Sequence, residues 1–70
     1  MLTASEKIRI LLKRKGMTAG ELAEATGQTR QNLSNKMQRD NFSEKDLHTI
    51  AKAFGCICKI TFVGEDGEEF

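Results

Sequence analysis

Up to Gly55 the apolar residues of this chain fall at the three- and four-residue spacing of helices; beyond it they alternate as in a strand. Ile8, Leu11 and Leu12 share a face with Lys15 on a first helix, predicted from about Ala4 to Lys15. Thr3 and Glu6 have capping-box spacing at its start, with Ser5 as a competing cap, and Gly16 ends it. Ile10 lies off that face and must pack elsewhere or stay exposed. Thr18, with Glu21 three residues on, opens a second, short helix, and Met17 and Leu22 have the spacing of a hydrophobic staple. Leu22, Ala23 and Thr26 fall on one side of it, and Gly27 stops it, because a left-handed residue is least strained without a Cβ. Only Gln28 separates this glycine from Thr29, another good N-cap. The third helix places Leu33 and Met37 on one side at i, i+4.

A fourth helix opens at Ser43, with Asp46 at the capping-box position and Phe42 and Leu47 at staple spacing. Leu47, Ile50, Ala51 and Phe54 form an i, i+3, i+4, i+7 stripe, and Gly55 closes the helix. This helix reads as scaffold that packs under the others and holds the third at its angle. Residues 56–63 are rich in β-branched and apolar side chains and predict a strand. Cys56, Cys58, Ile60 and Phe62 would face one way, and Ile57, Lys59, Thr61 and Val63 the other. Residues 64–67 read as a turn and 68–70 as a short return strand. A lone two-stranded hairpin is marginal in water, and an unpaired apolar edge invites a second copy. Cys58, Ile60 and Phe62 are therefore the expected dimerisation residues; the other arrangement is a hairpin that covers the helices. The expected organisation is a helical domain over 1–55 and a β extension over 56–70.

The polar side of the third helix is the most informative stretch. Arg30, Gln31, Ser34, Asn35 and Gln38 lie there, without an acid. A merely solvated helix usually mixes Lys with Glu. These side chains instead match the donor and acceptor pattern of base edges, Arg for guanine and Asn or Gln for adenine. The two helices meeting at Gly27, with Leu22, Ala23 and Leu33 in the run GELAEATGQTRQNLS, resemble the helix-turn-helix of the phage repressor and Cro family. The likeness covers roughly residues 8–54. It implies a mostly α, four-helix, lambda-repressor-like domain, here with a C-terminal β-strand or hairpin extension. It also implies double-stranded DNA as partner, bound with the third helix in the major groove, and a homodimer on a two-fold symmetric site. By the same resemblance Arg30, Gln31, Ser34 and Asn35 read bases. Thr18, Thr29, Lys36, Gln38, Arg39 and Asn41 meet the DNA backbone. Three positions depart from the family pattern. Ala19 stands where glutamine is common. Lys36 stands where an apolar residue is usual, so that either its stem alone is buried or Met37 takes the core role. The usual Glu-x-Gly exit of the recognition helix is replaced by Met37-Gln38-Arg39 and then Asp40-Asn41-Phe42.

Charge supports this picture only after it is divided along the chain. The net +1 conceals a basic 1–59, with eleven Lys and Arg against six acids, and an acidic 60–70, with four acids and no base. A basic domain suits phosphate contact if the tail projects away. The run Lys13-Arg14-Lys15 serves equally as a phosphate patch or as a dipole-matched helix end. Seventy residues imply one small domain. Two cysteines make no disulfide framework, no apolar run approaches a membrane span, and the start lacks a signal-peptide pattern. A cytoplasmic protein without membrane contact is expected. Cys56-x-Cys58 and the single His48 fall short of the four ligands of structural zinc, so neither metal nor cofactor is expected. With no nucleophile beside a base and no glycine-rich phosphate loop, an enzyme is not expected. The competing function is a protein-interaction module, antitoxin-like or an assembly factor with an unknown protein partner, that kept the fold without base reading.

Overall fold

The computed structural model describes residues 1–70. Four helices follow one another: α1 Ala4–Lys15, α2 Ala19–Ala25, α3 Arg30–Arg39 and α4 Glu44–Ala53. Each starts at a hydroxyl cap. The side chains of Thr3, Thr18, Thr29 and Ser43 accept from the N–H groups of Glu6, Glu21, Asn32 and Asp46. In α1, α2 and α4 the acidic side chain returns a bond to the cap's own N–H, so the reciprocal box closes. In α3 the corresponding residue is Asn32 and no box forms. Ser5, the competing cap of α1, does not cap it.

The helix exits follow one plan. Gly16, Gly27 and Gly55 take φ of 63°, 70° and 71° after α1, α2 and α4. The next N–H in each case reaches back into the last turn: Met17 to the Leu12 carbonyl, Gln28 to Ala23 and Cys56 to Ala51, at 2.9, 3.0 and 2.8 Å. At the end of α3 the left-handed position is filled by Asp40, at φ 51°, with the Asn41 N–H donating to the Lys36 carbonyl at 3.0 Å.

The interior is built by Ile8 of α1, Leu22 and Ala23 of α2, Leu33 of α3, and Ile50 with Phe54 at the end of α4. Leu11, Leu12, Met17, Met37 and Phe42 pack against it. The helical stripes thus converge as their spacing requires, while Ile10 stays 38% exposed, as its place off the stripe implies. No helix is long and apolar enough to cross a membrane.

The C-terminal expectation needs correction. No strand forms over 56–63, and the β hairpin shrinks to one isolated antiparallel bridge, Val63 with Glu69. Phe62 and Phe70 exchange backbone bonds at 3.0 and 2.8 Å around it, and the Gly67 N–H donates to the Gly64 carbonyl at 3.0 Å to close the turn. The reason is a lack of partners. The Cys56 N–H is taken by the cap of α4. The three residues after the turn are too few to pair with a run that starts at 56. The segment instead begins along an apolar cleft of about 420 Å³ beside α1 and α4, which leaves Cys56 and Cys58 half-buried. Ile60 and Phe62 remain 45% and 74% exposed. Both cysteines are free thiols.

Candidate nucleic-acid interface

The turn joining α2 to α3 is braced by side chains. The Thr26 hydroxyl donates to the Leu22 carbonyl at 2.8 Å, the Gln28 amide donates to the Thr26 hydroxyl oxygen at 2.8 Å, and the Asn32 amide donates to Gln28 at 3.1 Å. This chain of bonds runs from the last turn of α2 to the first turn of α3. Together with Leu22 and Leu33, both essentially inaccessible, it fixes how the two helices meet. Gln28 and Asn32 lie outside the site residues expected from the sequence. Their i, i+4 spacing across the cap was the available signal.

With Leu33 buried and Met37 half-buried, α3 exposes Arg30, Gln31, Ser34, Asn35, Gln38 and Arg39. No acid interrupts this helix. Gln31 donates through Nε2 to Asn35 Oδ1 at 3.2 Å, so the two amides at the centre of the outward face are oriented as a pair. The pair still leaves donors and an acceptor free for a base edge. Arg30 lies on the flank toward α2, where its stem passes Gly20: a Cβ there would stand 3.9 Å from Arg30 Cδ. Thr18, Thr29 and Asn41 are exposed at the margins of the same region. Thr18 and Thr29 use only their oxygen in capping. Their hydroxyl protons are free to donate to an anion.

Lys36 stands apart from the rest. Its ammonium lies 3.1 Å from Asp46 Oδ1, with both side chains roughly a quarter exposed. Both alternatives for this position therefore hold together: Met37 joins the core, and the Lys36 stem is half-buried with its charge paired to α4. The Ser43 N–H and then the Lys36 ammonium hold the Asp46 carboxyl below its ordinary value near 3.8. A carboxylate with a lowered folded-state pKa adds stability that is complete above the unfolded value. That stability is lost as pH falls through the folded one. Lowering the pH below about 3.8 should therefore reduce the urea midpoint of the native chain. It should do so less in Lys36→Met, which keeps the stem and removes the charge. Identical acid limbs for the two chains would show that the pair adds nothing.

His48 is exposed and lies 3.5 Å from Glu44 on the far side of α4. No group of three or more His, Cys, Asp or Glu side chains converges on a common point.

A capped helical pair braced across its turn, presenting an acid-free polar face on its second helix, defines a helix-turn-helix domain. Residues 7–58 match the model of the Cro/C1-type HTH DNA-binding domain, and the chain belongs to that family. It is also similar to the repressor protein CI of Enterobacteria phage phi80, with 36% identity over 55 residues. That match covers 79% of this chain and 23% of the relative, so the chain spans about a quarter of the relative's length. No solved structure matches it at comparable significance.

Proposed function

We propose that this chain is a sequence-specific transcriptional regulator that binds a two-fold symmetric operator as a homodimer, in the manner of a phage-type repressor. The observation that carries the reading is the outward face of α3, free of acids, with Gln31 and Asn35 tied as a pair. Arg30, Gln31, Ser34 and Asn35 read bases. Thr18, Thr29, Gln38, Arg39 and Asn41 position the backbone. Lys36 reaches phosphate only by sharing or leaving Asp46. Residues 1–55 form the DNA-binding unit and 56–70 the dimerisation extension, in which Ile60 and Phe62 supply the exposed apolar contact and Cys58 its inner edge. The phi80 relative's name as a repressor supports this direction of regulation.

A second reading, a protein-interaction module, draws support from the exposed apolar side chains of Ile57, Phe62, Val63 and Phe70. One experiment separates the two: selection from a random duplex library, followed by titration of the winner at two salt concentrations. The repressor reading expects an enriched palindrome with half-sites about 34 Å apart and an affinity that falls steeply with salt. The absence of enrichment and of salt-sensitive binding to any duplex would overturn it.

A further inference from the structure

We propose that Asp40 is a positioning residue for the recognition helix: it joins the exit of α3 to the start of α1 and so sets the angle at which the base-reading face is presented. The functional half of this inference rests on the DNA reading above; the structural half stands without it.

Backbone geometry alone favours glycine at position 40. Asp40 is the single non-glycine residue with positive φ, and the other three helices use glycine at the equivalent exit. The aspartate side chain makes contacts that glycine lacks. Its Oδ1 accepts from the Ser5 N–H at 2.9 Å and from the Ser5 hydroxyl at 2.8 Å. The same hydroxyl lies 2.7 Å from the Met37 carbonyl in the last turn of α3. Ser5, 3% exposed, is the one buried polar residue of the chain. Its N–H belongs to the first turn of α1, where four N–H groups lack partners in the helix. The Thr3–Glu6 box serves the Glu6 and Thr3 N–H groups. Asp40 serves Ser5 and places a carboxylate at the positive end of α1.

The position of this joint matters because α3 is thinly anchored. Leu33 is its only buried side chain. Leu33 and the brace at the first turn locate the N-terminal half of the helix, whereas the only apolar anchor of the C-terminal half is the half-buried Met37. Asp40 supplies a polar anchor on the α1 side, opposite the Lys36–Asp46 pair that faces α4.

The test uses the wild-type chain, Asp40→Gly, Asp40→Asn and Ser5→Ala. Asp40→Gly keeps the left-handed exit and loses the joint. Asp40→Asn keeps the Oδ1 acceptor and tolerates the same φ. Residual dipolar couplings on the free proteins report the direction of α3 relative to α1. They should change, or shrink through motion, in Asp40→Gly, change less in Ser5→Ala, and remain as wild type in Asp40→Asn. On DNA, Asp40→Gly should lower the ratio of selected-operator to random-duplex affinity by about tenfold, and Asp40→Asn should restore it to within about twofold. Taking the ratio removes the general effect of deleting one negative charge. Unchanged couplings in a folded Asp40→Gly, or an unchanged ratio, would overturn the proposal. If Asp40→Gly fails to fold, wild-type couplings and ratio in Ser5→Ala would overturn it as well. A reoriented α3 in a chain that enriches no duplex would overturn the DNA reading and leave the joint standing.

Discussion

Gln31→Ala is expected to cost about 1–3 kcal/mol on the selected operator while leaving random-duplex affinity nearly unchanged. Gln31 is neutral and exposed at the centre of the α3 face. Its loss removes a donor and acceptor pair from one base pair without altering the charge seen by phosphate. It also removes the amide that orients Asn35, so Asn35→Ala should relax discrimination at the same base pair and the two losses should not add. Arg30→Ala should match the operator loss of about 1–3 kcal/mol, but it removes a charge as well, so the salt slope should also fall by about one. Gln31 is therefore the cleaner probe. Equal losses on operator and random DNA would remove these residues from base readout.

Leu22→Ala is expected to leave much of the chain unfolded at room temperature. Leu22 is fully buried, and truncating such a leucine costs about 2–5 kcal/mol through lost transfer energy and the cavity left behind. A domain of this size draws only about 3–5 kcal/mol of net stability from its core. The two magnitudes are comparable, so one substitution consumes most of the margin. Ile10→Ala is the control: the side chain is partly exposed and outside the core, and its loss should fall within about 0.5 kcal/mol of wild type. Urea unfolding followed by far-ultraviolet circular dichroism suits both measurements, since the chain has no Trp or Tyr. A Leu22→Ala midpoint close to that of Ile10→Ala would contradict the packing described for the α2–α3 junction.

The helical part of the fold was legible because its signals are local. Capping boxes act across three residues, staples across five, and a glycine exit acts at one position, so Thr3, Thr18, Ser43, Gly16, Gly27 and Gly55 mark the ends of α1, α2 and α4 without reference to the rest of the chain. The outward face of α3 was legible for the same reason, since Leu33 and Met37 assign the opposite side by helical period. The C-terminal segment departs from its sequence pattern because strand propensity is not enough to form a strand. A strand needs a partner at hydrogen-bonding distance, and in this segment only residues 62–64 find one, in 68–70 around the Val63–Glu69 bridge. The alternation of 56–63 describes which side chains can share a face; it supplies no second row of N–H and C=O groups.

By itself the sequence determined the number of helices, the limits of α1, α2 and α4, the apolar stripes, and the acid-free polar face of α3. These follow from interactions within a few residues, whose spacing is written in the order of the chain. Tertiary structure alone decided how α3 is held. Ser5 meets Asp40 across 35 positions, and Lys36 meets Asp46 from a neighbouring helix. In the sequence Ser5 is only a competing cap, Asp40 an irregular loop residue and Lys36 a misplaced charge. Their roles arise when the packing of Ile8, Leu22, Leu33 and Ile50 brings the ends of α1, α3 and α4 together, since a polar side chain acquires its partner only from what the core places beside it.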